Sequence, residues 1–176
     1  EETLRAHEPD LLVAYRLTML PMRILDIPHL GCLNLHPSLL PAYRGAHPFF
    51  WMAMRYDLNG GVSLHYMNER PDRGDIIGQA SFKIEAGETE ADIERRALHV
   101  YGIPLLIKCL NEVQAGQSCP VVQPAVSPTP YAKRRPYTEM WEALDWGWSI
   151  EHMWHVLRCE PFWLDRLPPR DGWRKL

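Results

Sequence analysis

The chain has 176 residues, 46% of them hydrophobic, which is enough for one globular core and a small appendage. A formal net charge of −3 leaves no basic footprint for a nucleic-acid backbone, and no apolar run is long enough to span a membrane. Cys32, Cys109, Cys119 and Cys159 are scattered without Cys-x-x-Cys spacing, so a structural zinc is not expected and a reduced, cytoplasmic setting is.

Glu1 to Glu8 has the polar pattern of a helix end, and Pro9-Asp10 then breaks into the apolar run Leu11 to Tyr15. Five residues without polar alternation predict a strand buried on both faces, a short core helix being the alternative. Pro21 opens a short helix over Met22 to Leu25, and the unit closes in a second strand ending Leu33-Asn34-Leu35, a βαβ arrangement. Period-two geometry turns Asn34 and His36 to one side before Pro37 halts the strand. The carboxyl end of such a strand is where open α/β sheets place their chemistry.

The stretch Asn34-Leu35-His36-Pro37-Ser38-Leu39-Leu40-Pro41-Ala42-Tyr43-Arg44-Gly45 resembles the signature of the folate-dependent formyltransferases, which act on glycinamide ribonucleotide, methionyl-tRNA or nucleotide sugars. The resemblance covers roughly residues 9 to 115 and implies a Rossmann-like α/β fold, a parallel sheet with helices on both faces, whose opening βαβαβ half is missing here. It also implies that the loop after the first strand, Arg16, Leu17 and Thr18, lies against the donor 10-formyltetrahydrofolate, largely through main-chain groups.

Beyond the signature, Pro48 is placed to start a helix carrying Phe50, Ala53 and Met54, with Asn59-Gly60 expected to close it. Val62, Leu64 and Tyr66 alternate with Ser63 and His65, a half-buried strand, and Ile76-Ile77 opens the returning strand. Between them Asn68 to Asp75 is a loop of turn-formers. It resembles the Asp-x-Gly-x-Ile loop of the same family, an alignment that makes Asp72 the catalytic aspartate and leaves Asp75 outside. Thr89-Glu90-Ala91-Asp92 reads as a capping box for a helix with Ile93, Ala97, Val100 and Tyr101 on its buried stripe. Gly102-Ile103-Pro104 should kink or split that helix before it runs on to Val113. His7, His29, His65 and His99 have no metal-ligand spacing and read as ordinary residues.

Gly116 ends the catalytic core, residues 1–116, and 117–176 form a proline-rich linker with a Trp-rich C-terminal subdomain. Ser149 can cap a helix packing through Ile150, Met153, Trp154 and Leu157. Trp141, Trp146, Trp148, Trp154, Trp163 and Trp173 mark a core or interface, and a homodimer is one use of it. Lys133, Arg134 and Arg135 read equally as a solvated basic run or as a phosphate-facing one.

Formyl transfer to an amine passes through a tetrahedral intermediate, so the site needs an oxyanion donor, a proton acceptor and a route to protonate the leaving nitrogen. Asn34, His36 and Asp72 supply these types, with His36 expected to titrate near neutrality and Asp72 to favour its imidazolium. Ser38 lacks the Gly-x-Ser-x-Gly context of a nucleophile and reads as a turn-stabilising hydroxyl. Within the family, the 60 residues after Gly116 are short and weakly cationic for a tRNA-contacting domain, while the glycinamide ribonucleotide enzymes end near the core helix. A nucleotide-linked amino sugar is therefore the expected acceptor, with Tyr43, Arg44 and Lys133 to Arg135 facing it. The alternatives are a methionyl-tRNA or glycinamide ribonucleotide formyltransferase, a truncated non-catalytic folate or nucleotide-sugar module, and a formyl-folate hydrolase. No membrane or nucleic-acid partner is expected.

Overall fold

The computed structural model describes residues 1–17, 19–134 and 143–159. Thr18, Arg135, Trp141, Trp163 and Trp173 lie outside the described residues. After helix α1 (Glu2–His7), strand β1 (Leu12–Tyr15) pairs in parallel with β2 (Cys32–His36), and helix α2 (Met22–Leu25) connects them. This is the βαβ unit read from the apolar runs. Strands β3 (Asn59–Tyr66) and β4 (Ile76–Lys83) join antiparallel, giving a mixed sheet in the order β1-β2-β3-β4.

Helix α3 (Pro48–Met54) starts at its proline as expected, but Asn59 and Gly60 open β3 rather than closing the helix. The chain reverses earlier, where Tyr56 takes a left-handed conformation (φ 52°) and Asp57 Oδ1 accepts from the Asn59 N–H.

Leu33, Leu35, Val62 and Leu64 form one face of the central strand pair and pack with Ile93, Ala97, Leu105 and Cys109. Those four partners come from a continuous helical rod made of α4 (Glu90–Arg96), a π-helical turn (Ala97–Gly102) and α5 (Ile103–Gln114). Thr89 Oγ1 accepts from the Asp92 N–H and caps the rod. Pro104 has no N–H to return to the preceding turn, and the wide π turn absorbs that loss without a break. Widening the turn rotates the helix surface, so Val100, expected in the buried stripe, is 58% exposed. The rod covers β2 to β4 and leaves Val13 of β1 exposed, so the expected burial of β1 on both faces is not met.

Residues 117–134, expected as a surface linker, form a strap bound along the main domain. Val121 bridges Ile76 antiparallel, and Gln123 and Ala132 are buried. Helix α6 (Ile150–Cys159) then packs on α3, capped by Ser149 as expected. Its buried side carries His155, Val156 and Cys159, whereas Ile150 and Trp154 of the expected stripe are exposed. Two polar contacts set that rotation. His152 Nε2 donates to the Ala53 carbonyl, and His155 Nδ1 accepts from the Gly87 N–H at 2.9 Å. Among the described residues no helix is long and apolar enough to cross a membrane. Cys32, Cys109 and Cys119 are free thiols, and among the described residues no group of three or more His, Cys, Asp or Glu could hold a metal ion.

Candidate active site

Strand alternation sets Asn34 and His36 on the face of β2 opposite Leu33 and Leu35. In the antiparallel register Asn34 stands across from His65, and His36 across from Ser63, so the central pair carries one polar row. Most of that row is buried: His36, Ser63 and His65 are, while Asn34 is half-buried. The alternation of β3 was expected to turn Ser63 and His65 to solvent; instead it turns them to the site, because the Asp72 loop and the signature loop cover that face.

Tautomers follow from partners that can only accept. His36 Nε2 lies 3.0 Å from the Tyr43 carbonyl and so carries its proton, leaving Nδ1 bare at 3.6 Å from Asp72 Oδ1. His65 Nδ1 donates to the Tyr66 carbonyl at 2.7 Å, and its Nε2 accepts from Asn34 Nδ2 at 3.2 Å. The same Asn34 nitrogen is 3.5 Å from Asp72 Oδ1, which is also 3.6 Å from His65 Nε2. Asp72 Oδ2 accepts from the Gly45 N–H at 2.9 Å. One carboxylate thus joins Asn34, His36, His65 and the signature glycine.

Burial is the largest influence on His36 and pushes its pKa below the ordinary histidine range, against the Asp72 charge and the Tyr43 carbonyl. The ring is therefore held neutral, which corrects the expected imidazolium near neutrality. Burial works the other way on Asp72, but attraction to the His65 and His36 rings when they carry a proton on the facing nitrogen, together with the Gly45 N–H, outweighs it and holds the carboxyl below the ordinary carboxylate range. A neutral imidazole with a bare nitrogen beside an ionised carboxylate is a base that gains its stabilising partner at the moment it is protonated.

The loop that carries Asp72 is fixed from behind. Asp72 itself has a left-handed backbone (φ 53°), and its carbonyl accepts from Arg44 Nε and Gln123 Nε2, both at 3.1 Å. Gln123 Nε2 donates also to the Gly74 carbonyl at 2.6 Å, while its Oε1 accepts from Arg44 Nη2 at 2.8 Å. The strap is held to the signature loop by further contacts. Ala132 N donates to the Arg44 carbonyl at 2.7 Å, Tyr43 N donates to Thr129 Oγ1, and Ser127 Oγ donates to the Pro41 carbonyl. Gly45 has φ 127°, and a Cβ there would lie 2.5 Å from the Ala132 carbonyl oxygen, so only glycine lets strap and signature approach this closely.

The remaining expected residues divide. Tyr43 is buried with its hydroxyl donating to Asp57, so its ring does not face the site; its carbonyl anchors His36 instead. Arg44 is buried in the clamp just described. Arg16 pairs with Glu94, which also accepts from the Tyr15 hydroxyl, and Leu17 is exposed beside it. Lys133 and Arg134 are exposed, and the Lys133 carbonyl accepts from the Trp51 indole N–H. Asp75 gives its carbonyl to the Tyr66 N–H, in the ladder rather than the site. Ser38 Oγ donates to the Ala42 carbonyl at 2.7 Å, the turn role expected of it. Two site residues escaped the sequence reading. His65 was findable, since pairing β2 with β3 in a register that keeps the apolar residues together places it opposite Asn34. Gln123 carried no signal in a segment read as linker.

A family model described as formyl transferase matches residues 1–108. Among curated relatives, the methionyl-tRNA formyltransferase of Macrococcus caseolyticus is 39% identical over 116 residues, 65% of this chain and 37% of that protein. The chain spans about two fifths of the length of the curated relatives it matches. Among solved structures, HypX from Aquifex aeolicus in complex with tetrahydrofolic acid superposes with a TM-score of 0.73 at 20% identity, covering 95% of this chain and 28% of that one. The formyltransferase PseJ from Anoxybacillus kamchatkensis, in complex with a UDP-linked formamido sugar and tetrahydrofolate, gives 0.66 at 22% identity, covering 85% and 77%. At those identities the structures share the fold.

Proposed function

This chain belongs to the formyl transferase family, and from that premise we propose that it carries the transfer step, moving a formyl group from 10-formyltetrahydrofolate to a primary amine. The observation that carries the reading is the convergence of Asn34, His36 and Asp72 around one carboxylate oxygen. His36 Nδ1 takes the proton that the attacking amine loses, and Asp72 Oδ1 stabilises the imidazolium so formed. Asn34 turns its amide N–H toward the oxyanion of the tetrahedral intermediate, with His65 Nε2 as the resting acceptor that holds the amide in place. His36 then returns the proton to the departing nitrogen, so proton and formyl group cross in opposite directions and no covalent enzyme intermediate is needed.

The donor supplies the activated formyl carbon. The polar row and the loop after β1, where Arg16 and Leu17 stand, are the groups placed to hold it, and the exposed Leu17 offers an apolar contact to its ring system. For the acceptor, relatives at 36–40% identity bear the name methionyl-tRNA formyltransferase, which favours an aminoacyl-tRNA. The chain's net charge of −3 argues nothing against RNA when it spans only part of such relatives. The fold likeness to PseJ favours the second reading, a nucleotide-linked amino sugar. A soluble cytoplasmic enzyme suits both. The test is tetrahydrofolate release with methionyl-tRNA or a dTDP-amino sugar as acceptor, in the native chain and in His36→Asn. Release that needs neither acceptor, or that survives His36→Asn, would overturn the reading.

A further inference from the structure

Beside the Asp72 loop lies a cavity of about 520 Å³, lined by Arg44, Arg70 and Arg73 along with Met22, Asn68 and Glu69. We propose that this cavity is an oxyanion site that receives a phosphate of the acceptor, an assignment that rests on the acceptor being a tRNA or nucleotide sugar.

Arg44 is the reason. The residue is 2% exposed, yet its hydrogen bonds all end on uncharged oxygens: the Asp72 and Pro124 carbonyls and the Gln123 amide. Nη1 is buried with no acceptor at all. The Asp72 carboxylate, the nearest candidate counter-charge, is turned to the histidines and to Gly45. A buried cation is normally paired, since desolvation without a partner is costly. The neighbours add to the excess. Arg73 Nη1 donates to the Ala125 carbonyl, and Arg70 stands 3.9 Å from Glu69, the one carboxylate lining the cavity. Three guanidinium groups against one carboxylate leave a net positive wall suited to phosphate, which arginine binds through paired N–H groups. Because Arg44 also holds the Asp72 carbonyl, an oxyanion drawn to it acts on the loop that carries the reacting carboxylate.

The test uses the full chain and inorganic pyrophosphate as probe, followed by calorimetry at low salt. The native chain is expected to bind one equivalent saturably, and an Arg70→Ser/Arg73→Ser double variant to bind about tenfold more weakly. Arg158→Ser, which removes a charge on α6 outside the cavity, should leave binding unchanged. No saturable binding, or an equal loss in Arg158→Ser, overturns the site. In formyl-transfer assays the double variant should raise the acceptor KM and leave the donor KM alone; a rise confined to the donor overturns the assignment to acceptor phosphate. Pyrophosphate binding does not depend on turnover, so a chain that binds it as expected but formylates nothing would sink the catalytic reading and leave the oxyanion site standing.

Discussion

Gln123 holds Asp72 by the main chain: its amide donates to the Asp72 carbonyl at 3.1 Å and to the Gly74 carbonyl at 2.6 Å, from a segment 51 residues further along. Asp72 is thus positioned by a residue that touches neither its carboxylate nor His36 or Asn34, in a loop where Asp72 itself is left-handed. Replacing Gln123 with Leu should lower kcat on the order of a hundredfold, as a small displacement of a reacting group does, with a lesser change in KM. Gln123→Glu keeps Oε1 for Arg44 but loses the donors, so it should share the defect. Steady-state kinetics alongside a melting curve decide it: equal kcat in a folded Gln123→Leu protein would rule the aiming role out.

Burial keeps His36 neutral as a base, so activity should rise with pH through a histidine pKa below the ordinary value of about 6.5. Asp72→Asn removes the charge that favours protonation, and the acidic limb of the pH–rate profile should move to lower pH still while kcat falls. A limb that moves upward, or stays put, contradicts the assignment. Asp75→Asn is the matched control and should leave both rate and profile unchanged.

The same two groups make the fold acid-sensitive. Both His36 and Asp72 have folded pKa values below their unfolded ones, so each contributes stability that is present above the unfolded pKa and lost as pH falls through the folded value. The loss should begin below about pH 6.5 from His36 and continue below about pH 4 from Asp72. Urea unfolding across that range measures it, and His36→Asn should lessen the first part of the fall, leaving the share that comes from His47 and His155, whose pKa values burial also lowers.

His65→Leu leaves the Asn34 amide without its acceptor and strips one neighbour from Asp72. A loss of about tenfold to a hundredfold in kcat is expected, less than for Asn34→Ala, where an oxyanion donor itself disappears at about 10²–10³. If His65→Leu retains full turnover, the ring only fills space.

Gly45→Ala should destabilise the chain by about 1–3 kcal/mol or more, because the positive φ is strained for alanine and the methyl meets the Ala132 carbonyl. Denaturant midpoints check this. The variant should also lose activity, since the Gly45 N–H would be pushed off the Asp72 carboxylate.

Much of this is legible in the sequence. Apolar runs bounded by proline identified β1, β2 and the start of α3, and strand alternation with the loop motif brought Asn34, His36 and Asp72 together. Where the sequence reading failed, polar residues were buried by long-range contacts that no local pattern carries. Ser63 and His65 alternate as if for water and are instead covered by two loops. Helix α6 buries His155 because a main-chain N–H at Gly87 waits for it, and Val100 turns outward because a proline several residues on asks for a π turn. The strap looked like linker because proline disrupts periodicity, while its grip on the core is made one amide at a time.

That grip bears on how the protein comes off the ribosome. Asn34, His36, His65 and Asp72 are all synthesised before Gln123, and at about 5–20 residues per second the 51 residues between Asp72 and Gln123 take roughly 3–10 seconds to add. Through that interval the nascent chain already contains Asp72, His36 and Asn34, but the loop bearing Asp72 lacks its hydrogen bonds to Gln123. On the proposed reading, a growing polypeptide gains full activity only once its strap has been translated, and a messenger that stalls before the Gln123 codon releases a product whose Asp72 loop lacks this hold.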